Sequence, residues 1–273
     1  MAGVAAVLSA PLATAQAPSQ ETLAVAQSLV VRSGLAEQLK SVPQQFDMEI
    51  AQARGTEPDH VLDAMGEAAK ASFRPESLQQ DIVEVLAARM PVADMKRAIA
   101  WLDTPVGRRV TRAEELAAST VTPDNLQAYA DGLKRKPQTA RRTRLIAELM
   151  VATKAVEQTA NLVEGVALGM AMGMDSTQPV QNRQGLHKLQ ARMRSLMPPE
   201  EIRQMLAGVL PNLYGYMYRD VSDADLSAYL AFNRSAVGTT YNDALVAAFT
   251  EAMLRASMRT GPLIEKALQK TPA

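Results

Sequence analysis

Apolar residues recur at helical spacing along the whole chain. Leu23, Ala26, Leu29 and Val30 fall on one helical face, and Gly34 follows as a break. Further helices are expected wherever a similar stripe lies between Pro, Gly and short polar residues. The pattern predicts helices over 21–32, from 35 to an end or kink at Pro43, and over 57–73, 75–90, 92–102 and 105–118.

The sustained alternation of apolar and polar residues that is typical of β-strands does not occur. The chain is also rich in Ala, Leu and Met, which favour helices because they lose little side-chain freedom there. We therefore predict an all-α fold.

Two blocks of the first half reappear in the second half in the same order. Residues 29–38 correspond to 149–158, 120 positions later, and residues 94–107 correspond to 225–238, 131 positions later. Such self-similarity is typical of a duplicated helical unit. We predict two related helical repeats, 20–120 and 139–268, packed into one helical bundle-like body. Residues 121–138 are predicted to be a linker with a short helix beginning at Thr122-Pro123.

The second block contains an aromatic residue that ends a helix, then a short polar residue and a glycine that open the next. Residues 104–107 read Thr-Pro-Val-Gly, and residues 235–238 read Ser-Ala-Val-Gly. Both resemble the Ser-Pro-x-Gly motif of the domain of unknown function 2059 family. The resemblance implies an exported, all-helical bacterial protein of undetermined biochemistry, and it supplies no catalytic or binding residues.

The motif also has a physical interpretation. The hydroxyl of Thr104 or Ser235 can cap the second helix. The glycine one turn later leaves room for the aromatic residue to lie against the backbone, which compensates for its cost of about 0.5–1 kcal/mol inside a helix. We expect a structural corner between helices; a ligand pocket beside the aromatic residue is the alternative. The corner residues are Trp101, Thr104, Pro105 and Gly107 in the first copy, and Phe232, Ser235 and Gly238 in the second.

The N-terminus is typical of an export signal. Residues 3–12 are an apolar run, followed by small residues in the A-x-A pattern of signal peptidase sites. We predict a signal peptide over 1–15, cleaved after Ala15 in preference to Ala17, and a periplasmic location without a transmembrane anchor. Because no Lys or Arg precedes the run, either the true start lies upstream or the run is merely a hydrophobic tail.

Composition narrows the chemistry further. The chain has no Cys, so disulfides and thiolate sites are excluded, and its 29 basic and 29 acidic residues give no net field to attract nucleic acid. His60, Asp63 and Glu67 could share a helical face, but a metal site on one His is weakly supported. No phosphate-binding, dinucleotide or metalloprotease motif is present. We expect no cofactor, no metal and no catalysis.

One segment carries both a glycine stripe and a methionine stripe. Gly165, Gly169 and Gly173 recur every fourth residue, which predicts either close packing within the chain or a self-association face. Thioethers bind Cu(I), but alternate helical residues diverge, so only an unwound segment could form such a site. We therefore expect adaptable apolar filler or a groove lining. The methionines are Met170, Met172 and Met174.

Basic residues crowd the start of the second repeat, at 134–136 and at Arg141, Arg142 and Arg144. They are expected to form a solvated linker, or a surface for anionic lipid headgroups or an acidic partner. The sequence thus predicts an interaction or scaffold protein with an unknown partner in the cell envelope. The alternatives are a carrier of an apolar ligand between helices, or a hydrolase without a recognisable motif.

Overall fold

The computed structural model describes residues 18–56 and 58–270, and the predicted signal peptide lies outside them. Within these ranges the chain is helical, without a β-strand, so the all-α prediction is confirmed. The helices of the first half are α1 (Gln20–Arg32), α2 (Leu35–Leu39), α3 (Val42–Ala53), α4 (Asp59–Ser72), α5 (Pro75–Arg89), α6 (Val92–Leu102), α7 (Pro105–Thr120) and α8 (Pro123–Arg135). Those of the second are α9 (Ala140–Ala152), α10 (Ala155–Thr177), α11 (Leu186–Leu196), α12 (Pro199–Met217), α13 (Asp223–Arg234) and α14 (Ala236–Lys270), with a 3₁₀ turn at Val180–Asn182.

Pro43 lies at the start of a helix and not at its end. The preceding helix, α2, already stops at Leu39, and Pro43 occupies the first turn of α3. A proline is tolerated there because the first N–H groups of a helix have no intrahelical acceptor. The break between α2 and α3 therefore precedes Pro43.

The longest helix, α14, runs through the centre of the body. It spans 35 residues and packs against α4, α5, α6, α10 and α13. Its buried face repeats alanine every fourth position, and these small side chains allow neighbouring helices to approach closely. The alanines are Ala244, Ala248, Ala252 and Ala256.

Several positions that correspond in the two sequence blocks have the same local structure. Helices α1 and α9 each contain 13 residues, and each is capped by a hydroxyl, from Ser19 and Thr139 respectively. The break after each helix contains a residue with positive φ, 73° at Gly34 and 50° at Lys154. Helix α1 then packs on α5 and α6, as α9 packs on α12 and α13.

The main hydrophobic core joins the two halves. It extends from α1, α5 and α6 to α13 and α14, and a smaller cluster lies between α10 and α12. Among the described residues, every helix is too short or too polar to cross a membrane. The two halves therefore share one core, as expected of a single bundle-like body.

Candidate functional site

The two predicted corners are built by the same hydrogen bonds. The Thr104 hydroxyl accepts from the Gly107 N–H at 3.0 Å and donates to the carbonyl of Trp101 at 2.7 Å. The Ser235 hydroxyl accepts from Gly238 at 3.1 Å and donates to Phe232 at 2.7 Å. Each hydroxyl thus caps the start of the following helix and donates a hydrogen bond to a carbonyl group at the end of the preceding helix.

The glycines of the corners make room for the backbone of the preceding helix. A Cβ on Gly107 would lie 2.5 Å from the carbonyl oxygen of Trp101, and one on Gly238 would overlap the carbonyl oxygen of Phe232. The atoms nearest to the two glycines thus include the carbonyl oxygens of the aromatic residues. Glycine is required because the last carbonyl of one helix lies against the first turn of the next.

The aromatic rings of the two corners instead pack on each other. Trp101 stacks on Phe232 with centroids 4.1 Å apart and planes inclined by 11°, and Trp101 also stacks on Tyr229 at 5.5 Å. Helix α7, which follows the first corner, packs on α13, and α14, which follows the second, packs on α6. The corners therefore form a reciprocal contact between the halves, and they leave no room for a ligand between these two rings.

The glycine stripe of α10 packs against α14 of the same chain. A Cβ on Gly169 would lie 2.7 Å from Ser257 Cβ, and one on Gly173 would lie 2.5 Å from the Met258 carbonyl oxygen. Gly165 is looser, with Thr250 at 3.6 Å. Of the two alternatives predicted for this stripe, the structure shows close packing within the chain, against α14.

The methionines lie on a continuous helix, α10, so they diverge around its axis. Met170 and Met172 are partly buried and Met174 is 57% exposed.

Of the candidate metal ligands His60, Asp63 and Glu67, Asp63 accepts a hydrogen bond from Arg54 at 2.8 Å. Among the described residues, groups of three or more His, Cys, Asp or Glu suited to a metal do not occur.

A titratable group that sequence analysis missed lies beside the corners. Glu114 of α7 accepts hydrogen bonds from the hydroxyls of Tyr218 at 2.6 Å and Tyr229 at 3.0 Å. Burial raises the pKa of Glu114 to about 7, against the lowering effect of the two hydroxyls. Burial and the nearby Glu114 carboxylate raise the pKa of both tyrosines well above their usual value. A signal was available, since Glu114 lies at helical spacing from buried Val110 and Ala117.

A large groove runs along α9, and we call it the α9 groove. It has a volume of about 940 Å³ and is open to solvent. Most of its lining is apolar, from α9, the first turn of α10, the 133–138 segment and Pro211 of α12. The apolar lining residues are Leu133, Pro137, Ile146, Ala147, Met150, Val151, Val156 and Pro211, and the polar ones are Gln138, Thr143, Lys154, Glu157 and Asn212.

Hydrogen bonds join α9 to the elements around it. Arg142 of α9 donates to the carbonyls of Tyr218 and Val221 and pairs with Asp223 at 3.0 Å, which joins α9 to the segment between α12 and α13. At the other end of α9, the hydroxyls of Thr153 and Tyr214 lie 3.4 Å apart. Helix α9 is therefore held by hydrogen bonds near both of its ends.

An exposed apolar side chain marks the α9 groove. Val151 is 76% exposed and lies one helical turn after Ala147, which also lines the groove. The predicted stripe of methionines does not contribute to this lining; Met150 does.

The predicted basic cluster divides into paired and unpaired members. Arg142 and Arg141 pair with Asp223, and Lys134 pairs with Asp131. Arg135, Lys136 and Arg144 are exposed and make no ion pair with the described residues. Lys136 precedes the lining residue Pro137, and Arg144 follows the lining residue Thr143, so this positive charge borders one end of the α9 groove.

Comparison with known proteins gives one match. Residues 76–135, from α5 through α8, match the model of a family described as an uncharacterized protein conserved in bacteria, DUF2059. No curated protein and no solved structure matches the chain. The match contains the first corner and extends over α8, which sequence analysis assigned to a linker. The segment that runs from α5 to α8 is thus similar to the DUF2059 family, which supports the resemblance noted from the corner motif.

Proposed function

We propose that this is an exported, non-catalytic interaction protein made of two copies of one helical unit, with the α9 groove as its binding site. The open apolar groove beside an unpaired basic rim is the observation that carries the proposal. Val151 is exposed beside other apolar residues of the groove, and contiguous apolar surface of this kind is where partners bind.

The proposed duplication is supported by local geometry at corresponding positions. The Trp101 and Phe232 corners share their hydrogen bonds, and Gly34 and Lys154 share positive φ. Positive φ is uncommon for a residue with a Cβ, and Lys154 is the one instance among the described residues other than glycine. A lysine in this conformation is readily explained if its position descends from a glycine.

The non-catalytic part of the proposal rests on the chemistry of the groove. A catalytic site usually brings a titratable group with a shifted pKa into a cleft. Glu114, whose pKa is raised, bonds to two tyrosines and does not line the α9 groove. Of the charged lining residues, Lys154 pairs with Asp243 at 2.8 Å. These groups suit positioning of a partner better than proton transfer.

A carrier of an apolar ligand is the second candidate. The volume of about 940 Å³ lies within the range of small-molecule sites, and most of the lining is apolar. The open side of the groove favours a protein partner, because it would leave a lipid tail in contact with water.

One experiment separates these functions. Because the chain has no cysteine, Val151→Cys provides a single attachment point for a photocrosslinker. Val180→Cys is the matched control, since Val180 is also 76% exposed and lies outside the α9 groove. In native envelope extracts we expect a protein adduct from position 151 and none from 180. A lipid-sized mass increase would support the carrier, and equal crosslinking from both positions would contradict a groove site.

Export is proposed from the sequence of residues 1–15 and has its own test. Intact mass spectrometry of the protein from a periplasmic fraction should show a chain beginning at Gln16. A full-length chain recovered in the cytoplasmic fraction would contradict export.

A further inference from the structure

We infer that the α9 groove takes a short amphipathic helix that carries acidic side chains at one end. This inference rests on the proposed function, because it assumes that the groove is a binding site, and it adds the chemistry of the partner.

The length of the groove fits a helix of about two turns. Along α9 the lining residues run from Thr143 to Val151, with Ile146, Ala147 and Met150 between them. Eight residues of helix rise about 12 Å, the length of roughly two turns in the partner. Helices that bind in apolar grooves use anchors at i, i+3 or i+4, and i+7, a set that spans this length.

The two ends of the α9 groove differ in charge. At the Thr143 end, Arg135, Lys136 and Arg144 are exposed. The acidic residues close to them in sequence, Asp131 and Glu148, are already paired with Lys134 and Arg234. An acidic group of a partner placed here would gain up to three favourable pairings without displacing one.

At the other end of the groove the charges are balanced. Lys154 pairs with Asp243, and Glu157 lies in the lining. A partner with acidic residues along its whole length would meet Glu157, so the complementary partner has its acidic residues at one end only.

Polar groups at both ends also favour a peptide over a single-chain lipid. Gln138 lies at one end, and Lys154 and Glu157 at the other. A fatty acid has one polar end, so its methyl terminus would cover charged groups and leave them without water. A helix can place polar side chains at both ends.

The test uses two synthetic peptides with the same apolar face, labelled with fluorescein, and a fluorescent fatty acid as the lipid probe. One peptide carries three Glu at one end, and the other carries three Lys at the same positions. Binding to the full chain is measured by fluorescence anisotropy at low and high salt. We expect the Glu peptide to bind at least about tenfold more tightly than the Lys peptide, with the difference reduced by salt.

Matched variants locate the interaction. The triple variant Arg135→Ala, Lys136→Ala, Arg144→Ala should weaken the Glu peptide about tenfold, as expected for the loss of three exposed ion pairs. The control triple variant Lys188→Ala, Arg192→Ala, Arg194→Ala changes the net charge equally on α11 and should alter binding less than twofold. Val151→Asp should weaken both peptides, and Val180→Asp should not.

The outcomes separate the two levels of the proposal. Equal binding of both peptides, abolished by Val151→Asp, would overturn the acidic partner and leave the groove site intact. Binding of the fatty acid alone would overturn the helical partner in favour of the carrier. Absence of binding by every probe would overturn the inference, whereas the crosslinking experiment judges the proposed function independently. Circular dichroism and thermal unfolding confirm that each variant is folded.

Discussion

The corner at Trp101 and the corner at Phe232 have the same hydrogen bonds but different surroundings. Helix α7 ends 16 residues after the first corner, whereas α14 continues for 35 residues after the second. Phe232 is 7% exposed and also contacts the ring of Tyr241 at 6.0 Å, while Trp101 is only partly buried. A four-residue motif thus specifies the local turn, whereas the burial of the aromatic side chain beside it depends on the elements that pack around each corner.

The largest expected difference between the corners comes from removing the aromatic side chains. Phe232→Ala should lower the free energy of unfolding by about 3–5 kcal/mol, because a large buried ring leaves a cavity. Trp101→Ala should cost less, because part of its surface already contacts water. Urea denaturation of both variants measures the difference. A larger loss for Trp101→Ala would mean that the second corner is not the better packed one.

The corners also show how much of the structure the sequence could predict. The helices, the caps at Thr104 and Ser235, and the need for Gly107 and Gly238 follow from local rules of capping and backbone contact. The stacking of Trp101 on Phe232 does not, because the residues are 131 positions apart and only the tertiary fold brings them together. The stacking is a property of how the halves assemble.

A second difference between the corners is electrostatic. Glu114 extends from the helix of the first corner to Tyr229, one turn before Phe232, whereas the corresponding positions in the sequence blocks are Leu245 and Ala98. The contact therefore has no counterpart on the other side. Because burial raises its pKa to about 7, folding favours the neutral form of Glu114.

This difference predicts how stability depends on pH. Between about pH 4.5 and 7 the folded chain holds a proton on Glu114 that the unfolded chain has lost, so the stability of the protein should fall as pH rises through this range. Glu114→Gln removes that contribution. The variant should match the wild type near pH 4.5 and exceed it by up to about 3 kcal/mol above pH 7, from about 1.36 kcal/mol per pKa unit.

The measurement is urea denaturation of both proteins at a series of pH values. Burial also raises the pKa of Glu115, but Glu115 is present in both proteins and its effect cancels in the difference. Parallel curves would show that Glu114 is ionised in the folded protein at pH 5.

Substitution of Gly107 and Gly238 compares the backbone packing of the two corners. Gly107→Ala and Gly238→Ala should each cost about 1–3 kcal/mol, because a Cβ would collide with a carbonyl oxygen that belongs to the preceding helix. Gly238→Ala should cost more, since its Cβ would overlap the Phe232 oxygen and α14 is held on several sides. Gly132→Ala is the control: a Cβ there meets nothing within 4 Å, and alanine should stabilise α8.

The α9 groove shows where sequence reasoning reaches its limit. The basic cluster could be predicted from the sequence, but its position beside an apolar groove depends on the contacts among α8, α9 and α12. The glycine stripe of α10 shows a similar limit. Its spacing indicated a close helix contact, but not that residues 250–258 of α14 would provide it.

The smallest expected effect concerns the residue that differs between the motifs, Pro105 in the first corner and Ala236 in the second. Both occupy the first position of a helix, where proline is compatible with the backbone, and Ser235 has the extended conformation (φ −73°, ψ 158°) that a following proline requires. Ala236→Pro should therefore stabilise the protein by about 0.4–1 kcal/mol through the unfolded state, and Pro105→Ala should destabilise it by a similar amount. Thermal unfolding of the two variants measures both shifts. If Ala236→Pro lowers the melting temperature, the two corners differ in backbone geometry as well as in burial, and their equivalence would be limited to the hydroxyl cap.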